Sequence, residues 1–140
     1  MKQGSVSRVL VERFNSGDDI LAGLNDLVRR HNIRSGSFTA IGAVEKATVG
    51  FFMGNGRYSS TSLNGPLEVV ACVGNVSIKD DIPFIHAHVT LADREGRAFG
   101  GHLMSGCTVG ATFEVTMYAH DGIELSRRLD PQTKLSMLDA

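Results

Sequence analysis

The sequence predicts an α+β fold: a mainly antiparallel, mixed β-sheet of about seven strands with one main flanking helix. Three observations carry this. Apolar residues recur at helical spacing in one stretch only, at Ile20, Leu21, Leu24, Leu27 and Val28. The rest of the chain breaks into β-branched or alternating runs divided by Gly, Asn and Asp. The longest alternating run, Thr108 to Ala119, puts Val109, Ala111, Phe113, Val115, Met117 and Ala119 on one face and Thr108, Thr112, Glu114, Thr116 and Tyr118 on the other.

Taken in order, Val6 to Phe14 is β-branched and partly alternating, and reads as a first strand. Asn15-Ser16-Gly17-Asp18 is a turn that supplies a helix N-cap, and Asp18 and Asp19 place negative charge where a helix N-terminus favours it. Arg29, Arg30 and His31 fall in the last helical turn, where positive charge is favoured. Gly36 to Phe52 reads as strand with an interruption at Gly42, and Gly54-Asn55-Gly56 as a turn. Tyr58 to Leu63 is expected as a polar edge strand, and Leu67 to Val73, apolar on both faces, as a central strand covered on each side. Asp121-Gly122 turns into a last strand around Ile123 to Leu129, and Pro131 starts a tail.

The chain has 140 residues, a length suited to one domain, with a core at about 6–130 and a tail at 131–140. Its 14 basic and 15 acidic residues argue against a dedicated nucleic-acid binder, which carries a basic stripe. Without a run of 18 apolar residues or a secretory apolar region after Met1, a cytoplasmic protein with no membrane partner is expected. Cys72 and Cys107 lack metal or redox spacing and read as two buried thiols in a reducing compartment.

The informative stretch runs from Pro83 to Met104. Asp93-Arg94-Glu95-Gly96-Arg97 reads as a three-residue hairpin loop closed by Gly96 in the left-handed conformation. That register pairs Leu91 with Phe99, Thr90 with Gly100, Val89 with Gly101 and His88 with His102. Ile85, Ala87, Val89, Leu91, Phe99 and Leu103 then share an apolar core face, and His86, His88 and His102 share the other. The pair His88 and His102 would have Cβ atoms about 5 Å apart, and His86 lies roughly 7 Å along its strand. Three imidazoles within that radius can converge on one divalent ion; zinc, nickel, copper and iron all suit a His-only site, and availability favours zinc. Three protein ligands leave a fourth position for water, the arrangement of catalytic rather than structural zinc. Gly100 and Gly101 are expected to clear space beside the rings. Glu68 and Glu114, each isolated in an apolar or Thr-rich strand, are accessory candidates as base or further ligand, although such residues commonly face solvent. His31 reads as a helix-end surface residue and His120 as a turn residue.

Four segments also resemble one family. Gly36-Ser-Phe-Thr-Ala-Ile-Gly-Ala-Val44, Gly65-Pro-Leu-Glu-Val-Val-Ala-Cys-Val-Gly-Asn-Val-Ser77, Phe84-Ile-His-Ala-His-Val-Thr-Leu-Ala-Asp93 and Ala98-Phe-Gly-Gly-His-Leu103 are similar, in this order of motifs, to the plants-and-prokaryotes conserved (PPC) domain over roughly 6–130. The resemblance implies an antiparallel sheet with flanking helices, homotrimers among prokaryotic members, and a divalent metal, usually zinc, on His86, His88 and His102. It also brings a DNA-binding label. In the plant members A·T-rich DNA contact belongs to a separate R-G-R-P-type hook, which this sequence does not contain, and Pro66 and Leu67 replace the Arg and Phe of their partner-association segment.

Three functions are therefore expected in order: a metal-binding, homo-oligomeric domain with a regulatory or small-ligand role; a zinc-dependent enzyme; and a DNA-binding protein.

Overall fold

A computed structural model describes residues 1–139. Among them the chain forms β1 (Ser5–Phe14), α1 (Ile20–Arg30), β2 (Gly36–Gly54), β3 (Arg57–Lys79), β4 (Ile82–Ala92), β5 (Ala98–Leu103), β6 (Thr108–Asp121), β7 (Ser126–Leu129) and β8 (Ser136–Asp139). One sheet of eight strands results, in the order β1-β6-β2-β5-β4-β3-β7-β8, and all its pairings are antiparallel except β3 with β7. Because β2 also pairs with β3, the strands β2, β5, β4 and β3 close into a ring of pairings, and the sheet curls on itself. No helix among the described residues is long and apolar enough to cross a membrane.

The helix begins where its cap dictates. Asp19 Oδ1 accepts from Ala22 N–H at 2.9 Å, and Oδ2 accepts from Gly106 N–H at 2.7 Å, so one carboxylate caps α1 and ties it to the loop before β6. His31 is the C-cap, as its position at the helix end implied. Ile20, Leu24, Leu27 and Val28 are fully covered and join Phe38, Phe113, Val115 and Met117 in the core. At about 25 cal/mol per Å² of apolar area, each such side chain contributes roughly 1.5–3 kcal/mol relative to exposure. Cys72 and Cys107 are buried free thiols, and burial pushes the Cys72 thiol up to about 12, which keeps it protonated and unreactive.

Several expectations change. The interruption at Gly42 is a register shift inside one continuous strand of 19 residues, and Tyr58 to Leu63 is the first part of the 23-residue β3 rather than a separate strand. Leu67 to Val73 is covered on one face only: Leu67, Val69 and Cys72 are buried, whereas Val70 and Val73 are 54% and 50% exposed. The helix lies on the other side of the sheet, so nothing among the described residues covers them. Ala111 is exposed because a register shift between β2 and β6 separates it from the regular alternation that resumes at Phe113. Phe99 is 37% exposed, since β5 reaches β2 only at its far end, through His102 and Leu103. His120 is not in a turn: β6 continues past it to pair with the start of β1, and its Nε2 lies 3.2 Å from Ser37 Oγ. The tail forms β8, which pairs with β7 as a C-terminal hairpin.

Candidate metal centre

The hairpin between β4 and β5 sets the position of the histidines. Gly96 has φ of +76°, the left-handed value that a residue with a side chain rarely adopts, and its N–H donates to Asp93 O at 2.9 Å. Asp93 holds the loop further, accepting from Glu95 N–H at 3.0 Å and Arg97 N–H at 2.9 Å and pairing with the Arg97 guanidinium at 2.7 Å. From this turn the register runs outward as the sequence predicts: Leu91 opposite Phe99, Thr90 opposite Gly100, Val89 opposite Gly101, His88 opposite His102.

Alternation then separates the faces. Ile85, Ala87, Val89, Leu91 and Leu103 are buried, and His86, His88 and His102 gather on the other side. Each ring offers one nitrogen, and these nitrogens lie within 4.8 Å of one another. Ring centroids are 5.3 Å apart for His86 and His88, 5.2 Å for His86 and His102, and 5.6 Å for His88 and His102. His86 and His102 are half-buried and His88 is exposed. The Nδ1 of His102 is buried without a hydrogen-bond partner, an arrangement that is costly for a polar atom unless a ligand satisfies it.

The electrostatics favour neutral rings at His86 and His102. Burial, followed by the positive charge of Arg127 and the neighbouring His102 and His88, pushes His86 down to about 4. Burial also lowers His102, reinforced by His88 and Arg127. A neutral imidazole has the free lone pair that metal ligation requires.

Glu68 and Glu114 do not join this cluster. Both are exposed on a different part of the sheet, Glu68 opposite Ala43 and Glu114 opposite Ile41, where they border a shallow groove with Val70 and Ala111. The space beside Gly100 and Gly101 goes to backbone rather than to rings. A Cβ on Gly100 would collide with the Val89 carbonyl, and one on Gly101 would lie 2.6 Å from the Gly50 carbonyl oxygen.

Three neighbours of the cluster escaped the sequence reading. Tyr58 lies against His102 with ring centroids 4.9 Å apart. Gly50 makes that contact possible, for a Cβ there would stand 2.9 Å from Met104 Sδ and 3.2 Å from Tyr58 Cδ1. Arg127, from β7, lies over the Phe84 ring at 5.0 Å and hydrogen-bonds Ser77 and Asn75 on β3. With the loop before β8, Tyr58, Phe84 and Arg127 line a pocket of about 410 Å³ that His86 and His102 also line. The pairing of Tyr58 and Arg127 with the histidines is long-range, and no local spacing signals it.

Comparison with known proteins is consistent with this geometry. Residues 1–121 match the model of the Plants and Prokaryotes Conserved (PCC) domain. A solved structure described as a metal-containing protein from Archaeoglobus fulgidus is 30% identical, with a TM-score of 0.90 over 100% of this chain and 99% of that one. A plant- and prokaryote-conserved protein from Pyrococcus horikoshii is 28% identical, with a TM-score of 0.91 over 99% and 95% of the two chains. Among curated proteins, a bifunctional protein GlmU from Synechococcus sp. is 29% identical over 134 residues, 95% of this chain and 20% of that protein. The chain thus spans about a fifth of the length of the curated relatives it matches.

Proposed function

Because the chain belongs to the Plants and Prokaryotes Conserved domain family, we propose that it is a metal-binding, homo-oligomeric protein with a regulatory or small-ligand role. In this reading His86, His88 and His102 hold one divalent cation, zinc foremost. The observation that carries it is the convergence of three imidazole nitrogens within 4.8 Å, one of the three rings having a buried Nδ1 without a partner. The donor set is all nitrogen and free of carboxylate, which suits zinc better than calcium or magnesium. A cation held by three protein ligands supplies Lewis acidity at a further position open to a small oxygen donor.

The residues around the cluster have distinct parts in this reading. Tyr58 covers one side of His102 and restricts its ring. Burial of His86 and His102 lowers the affinity of both for protons, so they compete well for a metal near neutral pH. The pocket admits a ligand from solvent on the side of β7 and β8.

Self-association is supported by a row that crosses the outer face of the sheet. Val11 is opposite Thr116, Thr116 opposite Thr39, Thr39 opposite Val73 and Val73 opposite His88. Val11 and Val73 are 76% and 50% exposed, and Ile41 beside them is 58% exposed. A trimer formed on this face would cover those apolar groups and bring a neighbouring subunit to the exposed His88.

Metal analysis of protein purified without a nickel column tests the reading. About one ion per chain is expected, with His88→Ala and His102→Ala each reducing occupancy at least tenfold. Substoichiometric metal that His88→Ala leaves unchanged would overturn it.

A zinc-dependent enzyme is the second reading, favoured by the solvent-open pocket beside the cluster. A hydrolase or lyase activity that persists in His102→Ala would exclude the cluster as its cause.

A further inference from the structure

The histidines form one wall of the pocket, and Arg127 forms another. Its Nε donates to Ser77 Oγ at 2.8 Å, its Nη1 to Ser136 O at 2.9 Å and its Nη2 to Asn75 Oδ1 at 2.9 Å. All three acceptors are neutral, and a guanidinium has five N–H donors, so two remain for a ligand. Arg30, Arg34, Arg97 and Arg128 each pair with a carboxylate at 3.0 Å or less, but Arg127 pairs with none among the described residues. Lys79 and Lys134 line the same pocket, and no Asp or Glu lines it. In a chain with 14 basic and 15 acidic residues, three cations around one pocket without an acid among the described residues are a local segregation of charge. Half-burying a guanidinium beside apolar Phe84 and Leu135 without a counter-charge is unfavourable, and a bound anion removes that penalty.

The register sets the two walls side by side. Asn75, which holds the guanidinium, is directly opposite His86 on the neighbouring strand. Cross-strand partners have Cβ atoms about 4.5–5.5 Å apart. The Arg127 guanidinium and the histidine cluster therefore border one another in a single pocket of about 410 Å³, where a small anion seated on the guanidinium can present a second oxygen to the rings.

We propose that this pocket binds a small carboxylic acid with a hydroxyl or oxo oxygen on the carbon next to the carboxylate. The carboxylate seats on Arg127, within the field of Lys79 and Lys134, and the adjacent oxygen is directed toward His86 and His102. This assignment rests on the metal-binding reading above for its second contact, while the first contact depends on Arg127 alone.

Calorimetric titration of the zinc-loaded protein with lactate tests it, with propanoate, lactamide and inorganic phosphate as comparison probes and metal content measured in parallel. Lactate binding is expected, with lactamide and propanoate each weaker. Arg127→Gln should weaken lactate about tenfold or more with metal content unchanged, the loss associated with one charge-assisted pair. Should Arg127→Gln lose its fold, the double variant Lys79→Gln with Lys134→Gln takes its place and should weaken lactate by about tenfold in total. Equal lactate affinity in a folded variant, no lactate binding to fully loaded protein, or a response to phosphate alone would each overturn the proposal. If zinc does not load, the metal reading fails separately. Arg127-dependent binding of propanoate to the metal-free protein then supports the carboxylate seat, and its absence overturns that as well.

Discussion

At the scale of single residues, His86 links the site to folding. Its imidazole titrates near 6.5 in an unfolded chain and at about 4 in the folded protein, chiefly through burial. Between those values the unfolded chain holds more protons than the native one. The stability that His86 contributes is thus fully present above about pH 6.5 and declines as pH falls toward 4. The thermal midpoint of the metal-free protein is expected to drop across that window, and His86→Gln should flatten the slope. Parallel profiles for the two proteins would contradict the assignment of the shift to this ring. Tyr58 and Gly50 act on the same small scale: a ring lies on His102 because the residue beneath it has no Cβ. Arg127 directs its three bonds to neutral oxygens, whereas Arg30, Arg34, Arg97 and Arg128 each meet a carboxylate.

At the scale of elements, the β4–β5 hairpin and the start of α1 show how local sequence sets long-range geometry. One left-handed Gly96 and the Asp93 carboxylate determine the register, and the register places His88 opposite His102. Asp19 does comparable service for the helix, capping α1 and holding Gly106. Asp19→Ala is expected to destabilise by about 1–2 kcal/mol in urea unfolding, while the equally acidic Asp18→Ala costs less because its carboxylate accepts only from the turn residue Asn15. A larger loss for Asp18 would contradict the capping role. These local features were legible because turn chemistry and period-2 alternation are short-range rules. The histidine face could be read from them, the helix from apolar residues at helical spacing, and the two buried thiols from their lack of metal or redox spacing. What could not be read depends on distant pairing. The closure of β2 on β3, the parallel contact of β7 with β3 and the hairpin of β7 with β8 bring Tyr58, Arg127 and Lys134 to the histidines across more than twenty residues of chain. Isolated Glu68 and Glu114 looked like accessory groups because a carboxylate in an apolar strand has no sequence signal for which face it takes.

At the scale of the whole molecule, the sheet has two unequal faces. One is sealed by α1 and carries the core; the other crosses six strands from Val11 to His88 and His102. Val9, Val11, Ile41, Val70 and Val73 remain at least half exposed on that outer side, a concentration that favours association with another copy. Light scattering on the purified protein should give the mass of a trimer, and Ile41→Asp should reduce it toward that of a monomer while helix and strand content are retained. An unchanged mass would place the interface elsewhere. Because the row of exposed valines ends beside His88, association and metal binding are expected to reinforce each other. The most direct test of the account is an anomalous difference map from crystals of the zinc-loaded protein, recorded at the zinc edge. The account predicts one strong peak per chain, bonded to nitrogens of His86, His88 and His102 at about 2.0–2.1 Å. A fully loaded protein whose anomalous peak lies away from these three rings would contradict it.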